Sequence, residues 1–398
     1  MEPNIPFSND IQTVFTHDPP GQWLSKLPAG CIRLNSGYPA PSLVPSQELK
    51  AAAARLLDEE GDKPLQYIGS PRTPALAAYI QTRMAERDMA VPGDELLVTS
   101  GACQAIDLAA RVLLDKEAVV AIESPTYMEA LEIFQNYTEQ FVTVPVDEYG
   151  MRTDMLEQQL AERRRDGRPL PRILYTIPTF QNPTGTTLSA ERRQHILALA
   201  AEYDFLVVED DAYGELAFGD TPATLKAMDS ANRVFYIGSL SKTVAPGMRI
   251  GWVAAPESAI TVMSWLKKDL GHPFGQALMA AYLETAAFGD RVRRLSDAYH
   301  SKRDAMLAAL AAHLPESASW YVPEGGYFVW VNIPGIDAAK LLPEAMEAGV
   351  AFVPGQYFFL DRESGAGCLR LSFSYESEEQ IAEGIRILGA AVTKALGK

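Results

Sequence analysis

One lysine stands among hydroxyls and an arginine in GSLSKTVAPGMRIGW, residues 238–252. Lys242 follows Ser239 and Ser241, and Arg249 comes after a Pro246-Gly247 turn. A lysine amine whose pKa is lowered by burial or by cationic neighbours is a nucleophile that forms Schiff bases with aldehydes. Ser239 and Ser241 alternate around Leu240 and face one way in an extended chain. With the donor fork of Arg249 they would complete a phosphate cup. The plainer reading of Lys242 is a surface lysine, and of each serine a solvated turn. The apolar run RVFYI just before them weakens the surface reading of the lysine.

Other residues have similar double readings. Asp210 ends the run FLVVED; a carboxylate buried there needs a partner, for which a pyridinium nitrogen or a helix N-terminus would serve. Tyr213 follows three residues later. Ser100-Gly101-Ala102-Cys103 opens a predicted helix, either as a phosphate site on free N–H groups or as an N-cap by Ser100. Asn182, in Asn-Pro-Thr-Gly, fits a turn or a ring contact, and Tyr127 a packed or a stacking aromatic. Arg370 lies inside the apolar run CLRLSFS. It needs an anion: a substrate carboxylate or an internal acid.

The elements that must position these groups are short apolar runs: 95–99, 118–123, 172–177, 205–210, 233–238 and 249–255. Most lack polar alternation, which predicts strands buried on both faces of a largely parallel sheet. Helical patterns such as 103–114 and 190–203 alternate with them, the signature of an α/β layer. Only about ten residues separate the runs at 233 and 249, so that pair is expected to be antiparallel. In such sheets functional loops gather at the carboxyl ends of the strands. That is where Ser100, Tyr127, Asn182, Asp210 and Lys242 fall. A long helix over roughly 288–313 precedes a second α+β region closed by a helix near 376–396. The division expected is an arm at 1–45 with a short helix, joining the small domain; a large domain at 46–287; and a small domain at 288–398.

The chain has 398 residues and a formal net charge of −16. That charge argues against nucleic-acid binding, which depends on Lys and Arg. Three distant cysteines form neither a CxxC pair nor a disulfide framework, as expected in the cytoplasm. No metal-ligand spacing, membrane span or signal peptide is evident.

Taken together, these groups suit pyridoxal 5′-phosphate (PLP), an electron-sink cofactor. Over roughly 30–395 the chain resembles the class I/II aminotransferases of PLP fold type I. The motifs are SG, Tyr127, NPTG, D-x-x-Y, S-x-S-K, Arg249 and the late Arg370. PTFQNPTG, VEDDAYGEL and SLSKTVAPGMRIGW are most similar to the 2-aminoadipate, kynurenine and aromatic aminotransferase branch. The resemblance implies an α/β fold with a mostly parallel seven-stranded sheet, helices on both faces and a smaller α+β C-terminal domain.

The same resemblance makes Lys242 the Schiff-base lysine and proton carrier, and Asp210 the partner of the pyridine nitrogen. Asn182 and Tyr213 would bond the ring oxygen, and Tyr127 would stack on the ring. Gly101, the amides of Ala102 and Cys103, Ser239, Ser241 and Arg249 would hold the phosphate. Arg370, with Asn182 and Gly37, would take the substrate α-carboxylate. Tyr67 would reach the partner's phosphate in a homodimer with active sites at the interface. The implied reaction is ping-pong transfer of an α-amino group between amino acids and 2-oxo acids via pyridoxamine phosphate. Another PLP reaction (a cyclase, arginine oxidase or hydroxylase, lyase or decarboxylase) remains the alternative. An effector-sensing domain of a regulator is a third reading, which the short, non-basic segment before residue 46 disfavours.

The chain departs from the family pattern at Ala102, Cys103, Arg72 and DLGHPFGQ (269–276). These point to a specialised substrate or reaction. Arg33, Arg72 and His272 either read a distal substrate group or make surface or interface salt bridges.

Overall fold

A computed structural model describes residues 5–6, 27–67, 69–269 and 271–397. The short helix expected in the arm lies largely outside them. Ile32–Arg33 forms β1. The main sheet is built from β2 (Leu96–Thr99), β3 (Val119–Ser124), β4 (Phe141–Asp147), β5 (Gly150–Met151), β6 (Pro171–Thr176), β7 (Leu206–Asp210), β8 (Val234–Ser239) and β9 (Gly251–Ala254), in the order β2-β9-β8-β7-β6-β3-β4-β5. Strands β8, β7, β6, β3 and β4 are mutually parallel. β9 runs antiparallel to both β8 and β2, as the short 233–255 connection required. The sheet therefore has eight strands rather than seven. The extra one is the two-residue β5, which turns back antiparallel on β4.

Strands β3, β6, β7 and β8 are buried almost throughout, which accounts for their unbroken apolar runs. Ile106, Val120, Ile173, Val208 and Ile237 belong to one core cluster, and Val119, Val142, Leu174, Val207 and Val234 to another. Successive strand residues thus feed opposite faces of the sheet. Gly238 marks how tightly β8 meets β9: it pairs with Trp252, and a Cβ built on it would lie 2.2 Å from the indole ring. Gly238→Ala is expected to lower stability by about 1–3 kcal/mol through overpacking, read as a fall in Tm; an unchanged Tm would show that the indole can move aside.

The long helix Phe288–His313 leads into a second sheet, ordered β10 (Ser319–Trp320), β11 (Phe328–Asn332), β14 (Cys368–Ser372) and β13 (Val353–Pro354). The closing helix Glu378–Ala395 packs on Phe288–His313. Its start carries a capping box between Ser377 and Gln380. The arm reaches this region: β1 pairs in parallel with β12 (Val350–Ala351). That pairing holds residues 35–38 against the carboxyl ends of the main strands.

Candidate active site

The sheet brings its strand ends to two adjoining chambers that share Lys242. One, of about 190 Å³, is lined by Ala102, Cys103, Asp210, Ser239, Ser241 and Arg249, among others. The second, of about 110 Å³, is lined by Asn35, Gly37, Tyr38, Asn182, Phe328 and Arg370, among others. Tyr38, Tyr127, Glu129, Asn182, Tyr213 and Lys242 line both.

Lys242 follows β8 and is half-buried, lining both chambers. Its Nζ donates to the Gly37 carbonyl at 2.9 Å and lies 5.5 Å and 5.8 Å from the ring centroids of Tyr213 and Tyr327. Burial brings its pKa down to about 8, with Glu129 pulling the other way and Arg370 adding to the fall. The amine therefore gives up its proton at lower pH than a free lysine, which favours the neutral state a nucleophile needs.

Asp210 ends β7 and caps no helix. Its Oδ2 accepts the Tyr175 hydroxyl at 2.8 Å, while Oδ1 is buried without a protein partner. Burial lifts its pKa to about 6, opposed first by the Tyr175 hydrogen bond. A buried carboxylate oxygen left unbonded is costly, so the chamber is built to give it a donor. The Tyr213 ring stands edge-on to Tyr327 and Phe328.

At the other end of the first chamber, Gly101 precedes the helix Ala102–Leu113. It adopts φ +91°, which favours glycine, and a Cβ there would lie 2.5 Å from Arg249 Nη2 and push the guanidinium aside. Ser100 does not cap this helix; its hydroxyl turns to Asp269, and no side chain caps the first turn. The leading N–H groups are thus left to an anion. Residues Pro246–Met248 form a 3₁₀ turn, and Arg249 follows in the left-handed region at φ +54°. The turn returns its guanidinium to Gly101, with Nη2 donating to the Ser100 carbonyl at 3.1 Å. Ser239 Oγ accepts the Ser241 amide at 3.1 Å, and both serines line the chamber.

Arg370 lies on β14 and is 3% exposed. Among the described residues it has no carboxylate partner. Nη1 donates to Asn182 Oδ1 and Nη2 to the Asn35 carbonyl, each at 3.0 Å, while Nε is buried without an acceptor. Its guanidinium carbon lies 4.2 Å from the Phe328 ring centroid. A cation so enclosed, its pKa brought down to about 10 by burial, is set to receive an anion.

Several contributors were not foreseen. Tyr175 reads in the sequence as one more apolar strand residue. Glu123 is fully enclosed by Thr176 Oγ1, the Ile177 amide and Gln181 Nε2. Gln181 Oε1 in turn holds Thr184, which fixes the loop bearing Asn182. Glu129 accepts the Tyr127 hydroxyl at 2.5 Å and Cys103 Sγ at 3.2 Å.

Three other candidates lie elsewhere. Arg72 makes ion pairs with Glu59, Glu60 and Glu284. His272 caps the helix Pro273–Leu283 by accepting the Gly275 amide. Arg33 lies 5.7 Å from the Tyr375 ring centroid. Tyr67 is 88% exposed and does not reach the chain's own chambers. Among the described residues no group of three or more His, Cys, Asp or Glu side chains is placed to hold a metal ion, and no helix is long and apolar enough to cross a membrane.

Comparison with known proteins identifies the family. The family model for aminotransferase class I and II matches residues 29–388. An aromatic-amino-acid aminotransferase of Thermococcus litoralis is 38% identical over 373 residues, covering 92% of this chain and 89% of its own. A 2-aminoadipate transaminase of Thermus thermophilus is 38% identical over 370 residues, covering 91% and 90%. The crystal structure of a Pyrococcus horikoshii kynurenine aminotransferase superposes with a TM-score of 0.87 at 38% identity, covering 92% of both chains. This chain belongs to the class I and II aminotransferases and is a PLP-dependent amino acid aminotransferase.

Proposed function

We propose that the two chambers divide the work, the first holding PLP and the second the substrate. The observation that carries this is the buried, unbonded Asp210 Oδ1 in the same chamber as the half-buried Lys242. The residues fit the cofactor at both ends. The N–H groups of Ala102 and Cys103, with Ser239, Ser241 and Arg249, would hold its phosphate. Asp210 Oδ1 would accept the ring N–H. Asn182 and Tyr213 would bond the ring oxygen, and Tyr127 would cover one face. When bound, PLP supplies the electron sink for the carbanion formed at the substrate Cα.

The chain's own groups do the rest. Arg370 takes the α-carboxylate through a charge-assisted bond, its free Nε being the donor in waiting. Asn182 fixes the guanidinium, and Gly37 holds the Lys242 amine through its carbonyl. Lys242 Nζ then takes the proton from the substrate Cα, acting as general base. The reaction runs as two half-reactions: the donor amino acid leaves as its 2-oxo acid before the acceptor oxo acid enters.

The exposed Leu65, Tyr67 and Trp265 support a homodimer in which Tyr67 serves the partner's site. We place the chain in the cytoplasm on its free thiols, and divide it at about residues 45 and 287. A panel of amino acids offered with 2-oxoglutarate or pyruvate tests the reaction. New amino acid and new oxo acid should form in equal amounts; an oxo acid or amine released with no matching amino acid would sink transamination as the reaction.

A further inference from the structure

The second chamber holds one carboxylate, Glu129, opposite in sign to the other charged groups lining it, Lys242 and Arg370. Glu129 lies in the first turn of the helix Met128–Gln135, where the helix dipole favours an acid. Its side chain is nonetheless half-buried and lines both chambers. Oε2 is taken by the Tyr127 hydroxyl and Cys103 Sγ, and Oε1 has no protein donor among the described residues. Tyr213 also lines this space, and Asp210 lines the adjoining first chamber. Besides Lys242 and Arg370, Glu129 is thus the charged side chain lining the chamber next to Arg370. A half-enclosed carboxylate attracts a cation and repels a second acid, and the low dielectric of a cavity strengthens both effects.

We propose that Glu129 selects the amino donor, favouring side chains that end in a cation (an ammonium or guanidinium) over those that end in a carboxylate. This rests on transamination at this site with Arg370 on the α-carboxylate. Arg370 and Glu129 would then take the two ends of one dibasic amino acid, leaving Lys242 to act at the carbon between.

The test compares lysine, norleucine and 2-aminoadipate, side chains of similar length and of positive, zero and negative charge. Each is offered with 2-oxoglutarate to the PLP-loaded protein and to Glu129→Gln. Dissociation constants come from the change in cofactor absorption on titrating the same three acids. In the unmutated protein kcat/KM should fall in the order lysine, norleucine, 2-aminoadipate. In Glu129→Gln the lysine-to-norleucine ratio should drop about tenfold, the scale of one charge-assisted hydrogen bond, and the 2-aminoadipate-to-norleucine ratio should rise. Preference for 2-aminoadipate in the unmutated protein would overturn the proposal. So would a change by one common factor for all three donors, which would instead assign Glu129 to holding Tyr127 or the α-ammonium. If no donor turns over, transamination fails as a reading, and the same ratios taken from the dissociation constants decide the role of Glu129.

Discussion

Lys242→Ala is expected to cut transamination on the order of 10⁴-fold, the upper range for a lost general base, and to do so without unfolding the protein. The same change should prevent covalent retention of the cofactor. Borohydride treatment should fix cofactor mass on the unmutated chain and none on the variant. The fold should tolerate it because, among the described residues, Lys242 Nζ makes a single hydrogen bond, to Gly37, while the Tyr327 hydroxyl bonds the Lys242 carbonyl, which alanine keeps. Stability gives a second reading. Burial lowers the Lys242 pKa from 10.5 to about 8, so between those values the unfolded chain binds more protons than the folded one. Stability of the cofactor-free protein therefore rises with pH across that window, and below it the full cost of burying the amine is present. Lys242→Ala should raise the cofactor-free Tm at pH 7, and the gain should fade toward pH 10.5. A variant that kept its activity, or that lost it only by unfolding, would remove Lys242 from the chemistry.

How much of this was legible follows from the kind of contact involved. Strands β3, β6, β7 and β8 announced themselves because both of their faces are buried, so the sequence shows unbroken apolar runs. Once those were placed, Asp210, Ser239 and Lys242 had to fall at carboxyl ends, where the topology gathers them. β4 escaped notice because it lies next to the sheet edge: Val142 and Val144 point inward while Thr143 and Pro145 are exposed. Tyr175 escaped because its hydroxyl meets a partner 35 residues away, and nothing local separates it from a packed ring. Asn35 and Gly37 reach the site only because β1 pairs with β12, more than 300 residues distant. Cys103 and Glu129 show the same limit: each is ordinary in its own helix, and their juxtaposition emerges only when the two helix starts are packed together.

Asp210→Asn is expected to cost about 10²- to 10³-fold in kcat, the range seen when one preorganised electrostatic partner is lost. The amide has almost the carboxylate's shape, so the chamber should persist; what disappears is the negative charge that would keep a ring nitrogen protonated. The carboxylate's pKa, about 6 before cofactor binds, is set by burial against the Tyr175 hydrogen bond, with Asp211 pushing up and the Ala212 amide and Lys242 pulling down. Tyr175→Phe removes the largest of the lowering influences, a hydroxyl that donates only to Asp210. The Asp210 pKa must then rise, and more acid conditions are left with a neutral carboxyl that cannot balance a pyridinium. The acidic limb of kcat/KM should accordingly move to higher pH in Tyr175→Phe, with the activity recovered as the pH is raised. In Asp210→Asn that limb should disappear, since no carboxyl remains there to titrate. A limb that stays in place in Tyr175→Phe would show that the group titrating in the rate is not Asp210. A limb retained in Asp210→Asn would assign it to another acid, for which Glu123, brought to about 7 by complete burial, is the first to test by Glu123→Gln.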